Sequence, residues 1–193
     1  MKNSWCGMVL LAAACTSTGL TAWGQADLPS TSNLNLALVY QPMDANLVGG
    51  AGFWMQGAGV QAEDRLWRGV GVAADFAFLH TGDMNKQNVG LDLLTATFGP
   101  RYSWSPKRRR SSCFGQFLVG GVKGLHSIFP GPGVPTDTAS SLAYMTGGGL
   151  DVRLKHHLGL RAFEANWLRT QLPNSTTNVQ NNLRLGAGVV VHF

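Results

Sequence analysis

The chain has 193 residues, of which 45% are hydrophobic and 13% are charged, and its formal net charge is +5. No interior stretch approaches the roughly 18 unbroken apolar residues that a membrane-spanning helix needs, so any membrane crossing must use strands. Much of the positive charge comes from one run, Lys107 to Arg110, and this concentration argues against a nucleic-acid-binding surface.

The first 26 residues have the organisation of a secretory signal. Lys2 supplies a positive charge, an apolar run extends from Gly7 to Ala14, and the segment ends with Gly24-Gln25-Ala26, which has small residues at both positions that determine cleavage. We therefore expect export through the Sec pathway, a signal peptide over 1–26 and a single mature domain over 27–193. A lipoprotein signal at Ala12-Ala13-Ala14-Cys15 is an alternative.

Eight segments of the mature chain have strand character, and clusters of Gly, Pro, Asn, Asp and Ser separate them. A tilted strand needs about 9 to 11 residues to cross a bilayer, and each segment is long enough. The connections at 80–88, 127–140 and 171–181 are longer than those after the second and sixth segments. This alternation is typical of an even-stranded meander with both chain ends on the periplasmic side. The segments are 33–41, 50–62, 67–79, 89–104, 113–126, 141–154, 158–170 and 182–193.

The last segment alternates apolar and polar residues and ends on an aromatic side chain, Phe193. Such a strand is typical of bacterial outer-membrane barrels, in which the last strand pairs with the first. The chain is therefore predicted to be an all-β protein, an eight-stranded antiparallel up-and-down transmembrane β-barrel in the cell outer membrane. Phe193 is the predicted barrel-closing residue.

Charged residues indicate which side chains face the lumen, because Arg or Lys on the lipid face near the midplane costs about 2–4 kcal/mol. In segment 67–79, for example, Val72, Phe76 and Phe78 share one face and Asp75 lies on the other. Since isolated buried charges are unfavourable, we expect the inward charges to pair in a salt-bridged plug. Solvation near the periplasmic rim is the alternative. The predicted lumen network is Asp75, Arg101, Asp151, Arg153, Glu164 and Arg184.

Two features of the wall complete this interpretation. Gln56, Gln116 and Lys123 do not fit one face without a bulge, so the registers of segments 50–62 and 113–126 stay open. Five aromatic residues are candidates for the girdles at the two membrane surfaces. They are Trp54, Trp67, Trp104, Tyr144 and Trp167.

Four sequence motifs, in this order and spacing, resemble the OmpA/OmpX-type outer-membrane β-barrel family over essentially all of the mature chain. Residues 68–79 (RGVGVAADFAFL) resemble its third strand and 98–102 (FGPRY) its fourth, while 147–152 (GGGLDV) and 161–167 (RAFEANW) resemble its sixth and seventh. The resemblance implies the barrel fold and supplies no shared catalytic set. OmpA-type proteins proper carry a peptidoglycan-binding domain after the barrel. Because this chain ends at the barrel, the resemblance implies no envelope tether.

Eight strands enclose a lumen that side chains can just fill. We therefore expect a non-enzymatic barrel with a largely plugged lumen that acts in envelope integrity or surface interaction through its extracellular loops. A narrow porin-like pore for small solutes is one alternative. A soluble lipocalin-like binder is another, although it would need an apolar lumen. The expected partners are outer-membrane lipid, the barrel-assembly machinery through the C-terminal strand, and an unknown extracellular ligand. We expect a monomer without nucleic acid, cofactor or metal.

The histidines and the basic run offer other candidate chemistry. His126, Ser127 and Glu164 could form a triad, but nothing places Ser127 on the lipid-facing wall, so no enzyme is expected. His156 and His157 are adjacent and point to opposite sides, which disfavours a shared metal. The run from Lys107 to Arg110 is interpreted as a solvated turn, with anionic headgroups or a periplasmic partner as the alternative.

Overall fold

The computed structural model describes residues 34–48, 51–82, 89–105, 110–130, 134–174 and 178–193, so the predicted signal peptide lies outside the described residues. Within these ranges no helix is long and apolar enough to cross a membrane. The alternating sequence instead forms strands. They are β1 (Leu34–Tyr40), β2 (Met43–Val48), β3 (Ala51–Trp67), β4 (Val70–Thr81), β5 (Leu91–Trp104), β6 (Ser111–Leu125), β7 (Ala139–Arg153), β8 (Leu158–Thr170) and β9 (Gln180–His192).

The strands form one closed antiparallel barrel. From β3 to β9 each strand pairs with the next in the chain, and β1 closes the barrel by pairing with both β3 and β9. β2 also lies between β3 and β9, so β1 and β2 are two halves of one interrupted strand. The described wall therefore has eight positions, and the predicted eight-stranded antiparallel barrel is confirmed.

Gln41 and Pro42 interrupt the first strand. Proline has no N–H to donate to the ladder, which explains the break. The wall stays joined there because Gln41 N donates to Gly57 O at 2.8 Å and Leu185 N donates to Pro42 O at 2.9 Å. The prediction that the strand ends at residue 41 was therefore too short, since the segment after Pro42 is its second half.

The turn between β3 and β4 also lies later than predicted. β3 continues to Trp67, and the chain reverses at Arg68 and Gly69, whose φ angles are 46° and 88°. Two consecutive positive φ angles match the tight hairpin turns whose twist suits antiparallel strands. Ser103 N donates to Gly69 O at 2.7 Å and ties this turn to β5.

The connections define two ends of the barrel. The turn end comprises 68–69, 105–110 and 154–157, and the loop end carries the longer connections 82–90, 126–138 and 171–179. These three connections at the loop end are longer than the turns, as the sequence predicted, whereas β2 and β3, which also meet at the loop end, are separated by only two residues. Of the basic run in the second turn, Arg110 is described, whereas Lys107 to Arg109 lie outside the described residues.

The outer wall of the barrel is apolar. On β4 the outward residues from Val70 to Phe78, and on β5 those from Leu94 to Trp104, are all apolar or aromatic. Ten residues at about 3.3 Å each, tilted by about 40°, span roughly 25 Å along the barrel axis, which is the height of the apolar band on membrane barrels. Gln56 and Lys123 face outward and Gln116 faces inward, which settles the two registers that the sequence left open.

A charge placed in this apolar band should destabilise the protein if lipid covers the band. Phe76 lies near its middle and is 53% exposed. We expect Phe76→Arg to lower the free energy of unfolding by about 2–4 kcal/mol in lipid vesicles, as for other cations near a bilayer midplane. Urea unfolding followed by gel mobility measures this, with Phe76→Leu as the control. Equal stability of the two variants would show that lipid does not contact this face.

Candidate functional site

The interior of the barrel is filled by two layers of side chains. An ionic layer extends from the middle of the lumen to the turn end, and an apolar layer extends from there to the loop end. Among the described residues, four acids and three arginines of the ionic layer are each at most 4% exposed. They are Glu63, Asp75, Asp151, Glu164, Arg101, Arg161 and Arg184.

Arg161 has the most extensive contacts in the ionic layer. Its Nε and Nη2 donate to the two oxygens of Asp151 at 2.8 and 3.0 Å, a bidentate pair. Its Nη1 donates to Glu164 Oε2 at 2.9 Å and also to Gln61. One guanidinium is therefore shared by two buried carboxylates.

Gln61 connects the pairs. Its amide nitrogen donates to Asp75 and to Glu164, both at 2.8 Å, while its carbonyl oxygen accepts from Arg101 at 2.8 Å and from Arg161. A neutral amide can bridge cations and anions because it is both donor and acceptor. Gln61 thus joins ion pairs from both sides of the lumen into one network.

The edges of the ionic layer are also paired. Towards the loop end, Arg184 Nη2 donates to Asp75 Oδ2 at 2.8 Å. Towards the turn end, Glu63 accepts from Ser103 Oγ at 2.6 Å and from Arg65 Nε at 3.0 Å. Arg65 is partly exposed, so its charge balances the fourth buried acid from the mouth of the lumen.

An aromatic ring organises the arginines. The guanidinium carbons of Arg101 and Arg161 both lie over the ring of Phe114, 4.4 and 4.5 Å from its centroid. A cation over a ring face is attracted by the ring quadrupole. Gly149 makes room for the ring, because a Cβ there would lie 2.8 Å from Phe114 Cζ.

Five of the six predicted lumen charges lie in the ionic layer, and one does not. Asp75 pairs with Arg184, while Asp151 and Glu164 share Arg161, and Arg101 Nη1 lies 3.6 Å from Glu63. Arg153 is exposed at the last residue of β7, so its prediction as a lumen residue was wrong.

Arg161 was missed because β8 is bulged. Strict alternation places residues 161 and 164 on opposite faces, but the register with β9 shifts between Arg161 and Glu164, so both point inward. Gln61 was missed because the register of segment 50–62 was open, and Glu63 was missed because that segment was predicted to end before it, whereas β3 continues to Trp67.

The apolar layer closes the loop end of the lumen. Except for Ala73, its members come from strand regions towards the loop end or from the loops themselves. The sequence did not predict this layer. Its buried members are Met43, Ala45, Phe53, Met55, Ala73, Ala77, Leu79, Leu91, Leu93, Leu118, Val122, Phe129, Ala143, Met145, Leu168 and Leu172.

Two loop residues, Phe129 and Leu172, cover the apolar layer at the loop end of the lumen. Phe129 is 4% exposed and is folded back by paired backbone hydrogen bonds with Thr136, at 2.8 and 2.9 Å. Its ring occupies space over Gly124, where a Cβ would lie 2.5 Å from Phe129 Cζ. Leu172 is buried because the side-chain amide of Gln180 accepts from its N–H at 2.9 Å and donates to its carbonyl at 2.7 Å.

Some polar atoms between the two layers have no protein partner among the described residues. Asp75 Oδ1, the hydroxyls of Thr95 and Thr97, and Arg184 Nε and Nη1 belong to this group. Burying such atoms away from water without a hydrogen-bond partner destabilises the folded protein. The boundary between the layers is therefore the level at which the described part of the lumen has most of its unpartnered polar atoms.

The candidate catalytic residues are not brought together. His126 Nδ1 lies 2.7 Å from Asp92 at the loop end, where His80 Nδ1 contacts the other oxygen of Asp92 at 2.5 Å. Glu164 instead pairs with Arg161 in the lumen. Within the described parts of the chain, no group of three or more His, Cys, Asp or Glu is placed to hold a metal.

Comparison with solved structures identifies the fold. Neisserial surface protein A superposes with a TM-score of 0.59 at 15% identity, over 84% of this chain and 98% of that chain. The chain has the fold of an outer-membrane β-barrel. Ail of Yersinia pestis (TM-score 0.51, 16% identity, 82% and 98% covered) and OprG of Pseudomonas aeruginosa (0.50, 10%, 84% and 97%) have the same fold. No protein-family model and no curated protein sequence matches the chain. The predicted resemblance to small outer-membrane barrels is thus confirmed in the fold.

Proposed function

We propose that the protein is a non-enzymatic outer-membrane barrel whose lumen is closed to solutes and which acts through its loops in envelope integrity or surface interaction. The observation that carries the proposal is the pair of layers in the lumen. A paired ionic network and an apolar layer lie in series along one narrow tube, and no more space is expected inside eight strands than side chains can fill.

The apolar outer wall supports the membrane location. Exposed Phe76, Phe98 and Phe163 would be unfavourable against water, whereas a bilayer would bury them. The charged interior argues against a soluble binder of apolar ligands. We infer a monomer in outer-membrane lipid, exported through the Sec pathway and inserted by the barrel-assembly machinery through recognition of β9.

A role at the cell surface is supported by the loop end. The loop 126–138 presents Ile128 and Val134, which are 67% and 72% exposed. Two proteins of the same fold carry names that refer to the surface or to attachment, the Neisserial surface protein A and the attachment invasion locus protein of Yersinia pestis.

Conductance of the refolded protein tests the closed lumen. The protein is inserted into planar bilayers and liposomes, and a mobility difference between unheated and boiled samples shows that the barrel is folded. We expect a folded barrel without steady ion conductance and without liposome swelling in small sugars. Steady conductance from a folded sample would overturn the closed lumen.

A narrow pore is the second candidate function. The polar atoms at the boundary of the two layers favour it, because Asp75, Thr97 and Arg184 offer hydrogen-bonding groups without protein partners in the described residues. If the protein conducts, Arg184→Gln should change the cation-to-anion selectivity measured from reversal potentials. Unchanged selectivity would exclude this level as the narrow point of a pore.

A further inference from the structure

The turn end of the barrel is strongly basic. Four cations are exposed there in the described residues, namely Arg68, Arg110, Arg153 and Lys155, and Asp64 is the exposed acid near them. The loop end is mixed, with Asp44, Asp92 and Asp137 against Lys123 and Arg169 in the described residues. Among the described residues the turn end therefore carries a clear excess of positive charge, whereas the charges of the loop end nearly balance.

Backbone contacts place these cations on one continuous rim. Arg153 N donates to Arg110 O at 2.7 Å, which joins the second turn to the end of β7. Ser103 N donates to Gly69 O at 2.7 Å, which joins the first turn to β5. Lys155 follows Arg153 in the third turn. All three turns thus contribute cations to the same edge.

Aromatic side chains lie directly beside the basic rim. Trp67 and Trp104 are 67% and 57% exposed on the outer wall, and Tyr102 is 52% exposed. Indole and phenol rings are enriched where the hydrocarbon core meets the headgroups. This level of the wall is therefore where phosphate groups of a bilayer would lie.

Arg68 has an unfavourable backbone conformation and lies beside these aromatic residues. The first central position of such a turn usually carries Asn, Asp or Gly, because φ is positive, yet here it carries arginine with φ 46°. Its guanidinium carbon lies 4.7 Å from the centroid of the Trp67 ring. The stacking orients the side chain along the wall, and the guanidinium has donors to spare for an acceptor.

We propose that the basic rim, formed by Arg68, Arg110, Arg153 and Lys155, binds the phosphates of anionic phospholipids in the leaflet next to the turns. This proposal rests on the membrane location proposed above. Arginine and lysine donate charge-assisted hydrogen bonds to phosphate oxygens, and cations beside a bilayer attract anionic lipids. The complementary charge on the lipid and the adjoining tryptophans favour a lipid occupant.

Tryptophan quenching by brominated lipids tests the proposal. Trp67 and Trp104 lie near the turn end, whereas Trp54 and Trp167 lie towards the loop end, so two reporters can be made in the full chain. Both carry Trp5→Phe and Trp23→Phe; the turn-end reporter adds Trp54→Phe and Trp167→Phe, and the loop-end reporter adds Trp67→Phe and Trp104→Phe. Each is inserted into phosphatidylcholine vesicles that contain an equal minor fraction of either brominated phosphatidylglycerol or brominated phosphatidylcholine.

We expect brominated phosphatidylglycerol to quench the turn-end reporter about twofold more than brominated phosphatidylcholine, because the cations of the basic rim would enrich the anionic lipid beside the reporter. The loop-end reporter should show no such excess. Arg68→Glu with Lys155→Glu should remove the excess, whereas Lys123→Glu with Arg169→Glu at the loop end should keep it. An excess that survives the first pair, or equal quenching by both lipids, would overturn the lipid proposal. Absence of quenching by brominated phosphatidylcholine at both ends would instead refute the membrane location.

Discussion

Arg161→Ala is expected to lower the free energy of unfolding by about 3–5 kcal/mol, the usual cost of removing one partner from buried ion pairs. The substitution leaves Asp151 without its bidentate partner and removes the nearest cation from Glu164. Both carboxylates stay buried in the ionic layer of the lumen. Reversible urea unfolding in lipid vesicles, followed by gel mobility, measures the loss.

Arg153→Ala is the matched control for this prediction. It removes the same side chain from the neighbouring strand, but Arg153 is exposed at the turn end, so the expected change is within about 0.5 kcal/mol. The two variants distinguish the observed register of the strands from strict alternation of faces. Strict alternation places the side chain of Arg153 in the lumen and did not identify Arg161 as a lumen residue. A larger loss for Arg153→Ala than for Arg161→Ala would contradict the bulged register of β8.

Opening the lumen is expected to require damage to both layers. Arg101→Ser with Glu63→Ser removes a pair of opposite charges from the ionic layer, and Phe129→Ser with Leu172→Ser removes the loop residues of the apolar layer. Because the two layers lie in series, neither pair alone should produce steady conductance in planar bilayers. The four substitutions together should produce an ion-conducting pore.

Ile128→Ser with Val134→Ser is the control for the apolar layer. These residues lie in the same loop as Phe129, but their side chains are exposed outside the lumen. Combined with the ionic-layer pair, they should leave the lumen closed. Conductance from the ionic-layer pair alone would show that the apolar layer does not seal, and a closed fourfold variant would show that the seal lies elsewhere.

Much of the wall follows from the sequence because its signal is local. A strand alternates its faces with a period of two residues, so Asp75 between Phe76 and Ala74 indicates its own direction without reference to any other strand. Turn residues such as Gly69 likewise act within a few positions. The number of strands, the three long connections at one end and the apolar outer face could therefore be predicted.

The partners inside the lumen depend on tertiary structure. Gln61 touches Glu164, which is 103 positions away, and Arg184 touches Asp75, which is 109 positions away. Such contacts depend on the stagger of every strand between them, and a single bulge in β8 reverses the direction of Arg161.

The sequence by itself determined the closed barrel, its outward-facing apolar side chains and most of its inward charges, because alternation and turn chemistry are short-range. Only the tertiary structure decided that Arg161 replaces Arg153, that Phe129 and Leu172 fold over the lumen, and that ionic and apolar residues separate into layers. The layer in which a side chain lies depends on its height along the barrel axis. That height results from the tilt and register of all the strands around the wall, so no local sequence pattern determines it.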